Sequence, residues 1–295
     1  MQIGTSAIVK DFVRTTAIRA RDMALAPLWQ LGAEPVNFLW FESRNWGDAL
    51  NPVLIRWLSG KPVRGIDLKA QFPRARLRPH SSPWYLVVGS TLGFADENTI
   101  VWGSGFISEV SRTQQRPLRV CAVRGPLSRS LLLKQGIDCP PIYGDPALLF
   151  PRLYTPSSSA KRYRLGIIPH YVDMDVPVLR ELRHRDDIAL IDIKSGLKAV
   201  ADLLYSCERI ASSSLHGLIL ADAYGIPSCW IELSRRIAGG WFKFIDYFCS
   251  VGRAVDRPVP LSSSSDLRTI QRSCMCSPMK IDLDRLLACC PFRGR

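Results

Sequence analysis

From Val36 onward, the chain alternates short apolar runs with segments of helical periodicity, and this alternation constrains the fold more than any other feature. The apolar runs are continuous, as expected for parallel strands that are covered on both faces of a sheet. In chain order they are VNFLWF, YLVVGS, TIVWGSGF, PLRVCAVRG, RLGIIPHY, IALIDI, RIASSS and SCWIEL. Helical segments such as GDALNPVLIRWLSG and GLKAVADLLYSCE lie between them. The pattern predicts an α/β fold.

A segment rich in proline and serine, PRLYTPSSSA at residues 151–160, interrupts this alternation. Such a composition is typical of a linker. It predicts two Rossmann-like domains that face a cleft, residues 1–152 and residues 153–295, the second ending in a terminal helix. A chain of 295 residues is long enough for each domain to bury a core of its own.

The charge balance is basic, because 39 Lys and Arg residues face 26 Asp and Glu residues, for a net charge of +13. This excess favours a nucleic acid, an anionic membrane surface or an anionic substrate as partner. The basic residues are scattered, apart from small clusters at residues 74–78 and 180–185, and no RNA-binding pattern or zinc finger is present. We therefore expect no nucleic-acid partner, and the other two remain open.

The nine cysteines, an odd number without a regular framework, indicate reduced thiols and a cytoplasmic location. Their spacing matches no metal site, so we expect no metal. Residues 1–30 contain no apolar run of the kind found in signal peptides or transmembrane helices. Their mixture of apolar and basic residues fits either a basic amphipathic helix on the inner face of the cytoplasmic membrane or a helix packed on the domain.

Three short polar segments lie where an apolar run ends and a helical segment begins, which is where α/β enzymes hold their ligands. In the first, Gly47 permits a sharp turn, and Asn45 or Asp48 either caps the helix or faces a ligand. In the second, Arg124 either grips a phosphate or carboxylate or forms a surface salt bridge. In the third, Asp145 is favoured as a helix cap over a residue that faces the cleft and orients a hydroxyl or a histidine.

The fourth polar segment, SSSLHG at residues 212–217, is the most informative. Its serines are placed to cap the next helix, whose free N–H groups can receive an anion. A lone histidine is ordinarily structural. His216, however, is one of only four histidines and lies beside three hydroxyls at a strand-to-helix junction. This placement favours a functional site.

Six collinear segments carry a resemblance that is far more specific than any one of them. They are NWGDALNPVLIRWLSGKPV, WGSGF, VRGPLSRSLL, YGDPALL, SSSLHGLILADAYGIP and FKFIDYFCSVGR. Together they resemble the polysaccharide pyruvyl transferase family, especially its bacterial exopolysaccharide branch. The resemblance implies a two-domain fold similar to GT-B glycosyltransferases, with acceptor and donor sides on the N- and C-terminal domains. It also implies phosphoenolpyruvate as donor, a lipid-linked oligosaccharide or polysaccharide as acceptor, and no other cofactor.

Formation of a pyruvate ketal needs a proton for the methylene carbon, stabilisation of a cationic centre and a base for the sugar hydroxyls. His216 and Asp48 are the catalytic candidates. The donor-binding candidates are Arg124, Ser213, Ser214, Leu215 and Lys243, and the acceptor-binding candidates are Asn45, Gly47 and Asp145. Some family members carry an arginine at the place of Ser214, and Arg124, Lys243 and Arg253 are candidates for the cation that replaces it.

Two other interpretations of the sequence remain. One is a GT-B-like glycosyltransferase that uses a nucleotide sugar, since its architecture and helix-borne anion site would look alike. The other is a non-catalytic module that binds a membrane or a polyanion, which leaves the His216 and Asp48 segments without a role.

Overall fold

The structure is a computed structural model, and it describes residues 34–69, 82–254, 257–276 and 279–294. These residues form two five-stranded sheets in which every pair of neighbouring strands is parallel. The predicted α/β class with parallel sheets is therefore confirmed. The N-terminal segment predicted as an amphipathic helix and the basic cluster at residues 74–78 lie outside the described residues.

The first sheet has the strand order β2-β1-β3-β4-β5. Its strands are β1 (Val36–Trp40), β2 (Val63–Asp67), β3 (Trp84–Leu86), β4 (Thr99–Trp102) and β5 (Arg119–Ala122). Helix α1 (Trp46–Ser59) follows β1, and helix α2 (Pro126–Lys134) follows β5. A short 3-10 helix, Leu92–Phe94, lies between β3 and β4.

The second sheet has the order β10-β9-β8-β6-β7. Its strands are β6 (Leu165–Ile168), β7 (Ile188–Leu190), β8 (Ile210–Ser212), β9 (Ser228–Glu232) and β10 (Val259–Pro260). The helices of this half are α3 (Pro177–Leu182), α4 (Leu197–Tyr205), α5 (Leu215–Ala223), α6 (Phe242–Val251), α7 (Leu267–Ser273) and α8 (Leu283–Ala288). Along the chain, the predicted linker at residues 151–160 lies between β5 of the first sheet and β6 of the second. The division into two domains at residue 152 stays a prediction.

Helix α1 shows how the sequence sets local structure beside the first sheet. Trp46, Leu50 and Leu54 recur every four residues and form its buried face. The helix ends at Gly60, whose φ of 65° lies in the left-handed region that glycine adopts without strain. Among the described residues, no helix has the length and apolar composition needed to cross a bilayer.

Indole side chains connect elements that are far apart in the chain. The Trp46 Nε1 group donates a hydrogen bond of 3.1 Å to the carbonyl of Leu197, at the start of α4. The Trp46 ring also meets the Phe150 ring edge-on at 5.0 Å. Trp102 in β4 donates to the carbonyl of Leu286 in α8 at 2.9 Å. These buried rings fix the strand-to-helix junctions of the first sheet against the helices of the second.

Candidate functional site

A cavity of about 380 Å³ lies where the carboxyl ends of the strands of both sheets converge. Its lining residues come from the segments that follow β1, β2, β3 and β4 in the first sheet and β6, β7, β8 and β9 in the second, together with α6. In open α/β sheets, ligands bind outside the carboxyl ends of the strands. This cavity is therefore the candidate active site.

His216 lies in the first turn of α5, with its ring flat against the backbone of Gly47. A Cβ atom at position 47 would overlap the ring, so only glycine allows this approach. The Nε2 atom is buried and has no hydrogen-bond partner among the described residues. Burial, and then the nearby charges of Lys243 and Arg124, lower the pKa of the imidazole to about 3. The ring is therefore neutral at pH 7.

We expect Gly47→Ala to displace the ring of His216, a predicted catalytic residue, and to lower the predicted pyruvyl transfer by at least about tenfold, since small misplacements of such a group are costly. Gly93→Ala is the matched control, because its new methyl group would meet the Arg112 carbonyl at an ordinary 3.4 Å. Activity per folded molecule should fall in the first variant alone. Equal activity of both variants would contradict the packing described here.

Asp48 faces the cavity from the first turn of α1. Its Oδ2 atom accepts a hydrogen bond of 2.7 Å from the Ser43 hydroxyl. Burial raises the pKa of the Asp48 carboxyl, while the bonds from Ser43 and Asn45 and the charges of Lys69 and Lys243 oppose this rise. The pKa values of Asp48 and His216 are thus shifted in opposite directions within one cavity.

Asn45 precedes α1 but does not cap it, because its side chain makes no capping hydrogen bond. Its Oδ1 atom is buried and unpaired among the described residues. Asn45 lines the cavity and its amide bonds to Asp48, so the Oδ1 atom is the part of the side chain that remains for a ligand.

Asn51 positions the first turn of α1, a role that the sequence did not reveal. Pro52 has no N–H group to donate to the Asp48 carbonyl one turn earlier. The Asn51 Nδ2 group donates to that carbonyl instead, at 3.2 Å, and also to the Val88 carbonyl. Its Oδ1 accepts from the Val88 N–H at 3.0 Å. Asn51 thereby fixes the backbone of Asp48 to the segment after β3.

Positive charge surrounds the cavity. Four cationic side chains line it, namely Lys69, Lys194, Arg236 and Lys243, whereas Asp48 is the single carboxylate among its described lining residues. Burial, and then the charge of Arg124, lower the pKa of Lys243 to about 8, while Asp48 opposes this change. Arg236 is paired with Asp175 at 2.6 Å, so the three lysines carry the remaining excess of positive charge. Such an excess around a half-enclosed space favours an anionic ligand.

The segments that build this cavity are those that a known family shares. The sequence model of the polysaccharide pyruvyl transferase family matches residues 45–235, which is more than half of the chain. The chain belongs to the polysaccharide pyruvyl transferase family. The predicted family is thus confirmed.

Two relatives illustrate how far the similarity extends. The chain is 31% identical to the uncharacterized protein L143 of Acanthamoeba polyphaga mimivirus over 176 residues, which cover 58% of this chain and 61% of that protein. It is 27% identical to the succinoglycan biosynthesis protein ExoV of Rhizobium meliloti over 184 residues, covering 61% of this chain and 52% of ExoV. The matched part is thus less than two thirds of the length of either relative.

Of the site residues predicted for this pyruvyl transferase family member, six line the cavity. They are Asn45, Asp48, Ser214, Leu215, His216 and Lys243. Gly47 contacts the His216 ring from behind. Of the three cations considered for the place of Ser214, only Lys243 lines the cavity. Arg253 instead binds Asp222 and the hydroxyl of Ser228.

Three predicted residues lie behind the cavity wall. Arg124 is fully buried and donates to Asp246, to the Phe106 carbonyl and to the hydroxyl of Ser90, which itself lines the cavity. The surface salt bridge considered for Arg124 is wrong, because its ion pair with Asp246 is buried. Donor binding by Arg124 stays a prediction.

Ser213 and Asp145 have internal partners. The Ser213 hydroxyl donates to Asp173 at 3.2 Å and accepts from the His170 N–H at 2.8 Å. Asp145 accepts from the Ala147 N–H at 3.0 Å and so caps the 3-10 helix Pro146–Arg152. Its carboxyl is fully buried, and burial raises its pKa to about 6. Direct substrate contacts by these two residues stay predictions.

Among the polar residues of this cavity that sequence reasoning missed, four are basic side chains. They are Lys69, His170, Lys194 and Arg236. Each follows the end of a strand, so the signal was present in runs such as GIIPHY, where His170 comes directly after the apolar residues. Burial, and then the charges of two lysines, lower the pKa of the His170 imidazole to about 4.

Proposed function

We propose that this protein transfers the enolpyruvyl group of phosphoenolpyruvate to a sugar of a lipid-linked oligosaccharide or exopolysaccharide, forms a pyruvate ketal and releases phosphate. The observation that carries the proposal is one cavity that holds the buried His216, with its unpaired Nε2 atom, together with Asp48 and three lysines. Family membership and the similarity to a succinoglycan biosynthesis protein support the choice of reaction and acceptor.

The cavity suits a small donor with two anionic groups. Phosphoenolpyruvate carries a phosphate and a carboxylate, and both need cations or N–H groups. Lys243 lies at one side of the cavity, and the N-terminus of α5 offers free N–H groups beside Ser214 and Leu215. The proposal includes no metal or other cofactor.

The proposed chemistry divides proton transfer between the two titratable groups. The first sugar hydroxyl adds to C2 of the enolpyruvate while the methylene carbon gains a proton. The bond to phosphate then breaks, and a second hydroxyl closes the ketal and loses its proton. We assign the acceptance of hydroxyl protons to His216, whose buried Nε2 atom is unpaired among the described residues. Asp48, whose pKa is raised by burial, is assigned as the acid or as the group that stabilises the cationic centre.

The two sheets contribute different parts of this proposal. Asn45 and Asp48 follow β1 of the first sheet, on the proposed acceptor side, while Ser214 and His216 follow β8 of the second, on the donor side. A GT-B-like arrangement with domains at residues 1–152 and 153–295 is part of the proposal. So is a cytoplasmic location, with the acceptor at the inner face of the membrane.

Lys243→Met should weaken the binding of phosphoenolpyruvate about tenfold or more, because a hydrogen-bonded charge in a half-enclosed site is lost. In the wild type, Lys243 is charged below its pKa of about 8, so donor affinity should fall as the pH rises through 8. Calorimetric titrations at pH values from about 7 to 9, which bracket this pKa, measure the effect of the substitution and the pH dependence of donor affinity. The exposed Lys134 provides the control variant Lys134→Met. A dissociation constant that is independent of pH and of Lys243 would count against this donor site.

Donor identity separates the proposal from the glycosyltransferase alternative. A ligand that binds the folded state raises the melting temperature by an amount that grows with the logarithm of its concentration relative to its Kd. Phosphoenolpyruvate should therefore raise the melting temperature of the purified protein, and nucleotide sugars should leave it unchanged. The reverse result would favour a glycosyltransferase.

A further inference from the structure

A second cavity of about 400 Å³ opens beside the first and has a different character. It is called the aromatic cavity here and is lined by Trp230, Trp241 and Phe244 with the polar residues Glu232, Ser234 and Arg235. Its volume is within the range of small-molecule sites, and apolar walls with a few polar groups are their usual composition. The proposed transfer reaction makes no use of it.

The chain segment from the end of β9 into the first turn of α6 borders both cavities. Arg236 and Lys243 line the first cavity, whereas their direct neighbours Arg235 and Phe244 line the aromatic cavity. Adjacent residues of one chain segment thus line different cavities. A ligand longer than one sugar ring that enters the first cavity would pass next to the aromatic one.

In the aromatic cavity, one solvent-exposed indole packs against a pair of buried, stacked aromatic rings. Trp230 and Phe244 are buried and stacked, with ring centroids 4.6 Å apart and planes at 17°. The Trp241 ring meets Trp230 edge-on at 5.8 Å and remains 47% exposed. Its Nε1 group donates to the Glu232 carboxylate at 3.4 Å, which orients the indole. An exposed, oriented tryptophan over an apolar base is typical of a binding surface.

We propose that the aromatic cavity binds a second sugar ring of the acceptor glycan, next to the sugar that is modified. This inference rests on the proposed function for the position of the modified sugar. A pyranose has an apolar face of C–H groups, which suits the Trp241 indole, and a rim of hydroxyls, which suits Glu232, Ser234 and Arg235. The site would therefore select oligosaccharide acceptors over single sugars.

The test measures glycan binding without any donor. Oligosaccharides from bacterial exopolysaccharides, and their component monosaccharides, are presented on an array to wild type, Trp241→Ala, Trp241→Phe and the control Trp57→Ala. Trp57 is similarly exposed, at 42%, but lines neither cavity. We expect the wild type and Trp57→Ala to bind oligosaccharides more tightly than monosaccharides. Trp241→Ala should lose about tenfold or more of that affinity, and Trp241→Phe should retain most of it.

Two results would overturn the inference: no oligosaccharide binding by the wild type, or equal binding by wild type and Trp241→Ala. Thermal unfolding of each variant separates lost binding from lost folding. Because the array needs no phosphoenolpyruvate, binding that depends on Trp241 in a protein without pyruvyl transfer would refute only the proposed function. Pyruvyl transfer with binding that is indifferent to Trp241 would refute only this inference.

Discussion

Asp246→Ala is expected to destabilise the protein by about 3–5 kcal/mol, because it leaves the buried guanidinium of Arg124 without its carboxylate partner. Both side chains are 0% exposed, and Arg124 Nη2 lies 3.0 Å from Asp246 Oδ2. The same carboxylate accepts hydrogen bonds from the hydroxyl and the N–H of Ser128, at 2.7 and 2.9 Å. Its loss would therefore leave several buried donors unpaired.

The matched control for Asp246→Ala is Asp284→Ala, which removes an exposed ion pair of 2.9 Å with Arg152. These two side chains are 85% and 44% exposed, so the change should cost less than about 1 kcal/mol. Denaturant unfolding of both variants gives the comparison. Similar losses of unfolding free energy in both variants would contradict the claim that burial makes the Arg124–Asp246 pair more costly to break.

His216→Asn should lower turnover by about 10²-fold or more while the fold and most of the donor affinity remain. The physical reason is that an amide cannot accept the hydroxyl proton that the neutral imidazole accepts. The exposed His184 gives the control variant His184→Asn, which should turn over normally. Steady-state kinetics, donor titration and thermal unfolding of both variants provide the measurements.

A purely structural His216 would give a different pattern. The Asn variant would then melt at a lower temperature, and its activity would follow the folded fraction. The pH profile adds a further check. The pKa of the imidazole is about 3 in the free protein. Titration of His216 should therefore cause no break in the pH profile of kcat/KM from about pH 5 to about pH 8, where the ring stays neutral.

The sequence was sufficient for eight of the ten strands in the described residues, because periodicity is a local signal. The edge strands β2 and β10 have no continuous apolar run and were not predicted. Continuous apolar runs such as VNFLWF and RLGIIPHY became β1 and β6, whose neighbours are all parallel. The strand-to-helix junctions could be located for the same reason. Asp48 and His216 both lie at such junctions, and both line the cavity.

Local sequence patterns could not predict which way a side chain points or which distant residue it contacts. Ser213 and Ser214 are adjacent, yet Ser214 lines the cavity while Ser213 bonds to Asp173 behind it. For Arg124 the sequence left anion binding and a surface salt bridge open, because nothing near it in the chain indicates its buried partner Asp246, which lies 122 residues away. Contacts between segments so far apart depend on tertiary packing, and a short stretch of sequence does not reveal them.

The most direct test of the proposed pyruvyl transfer is to incubate the wild-type protein with phosphoenolpyruvate and an exopolysaccharide oligosaccharide. Inorganic phosphate is measured over time, and the glycan product is analysed by mass spectrometry and NMR. We predict phosphate release that requires the acceptor, with one pyruvate ketal formed for each phosphate. Phosphate release without a ketal on the glycan, or glycosyl transfer from a nucleotide sugar in its place, would contradict the proposed function.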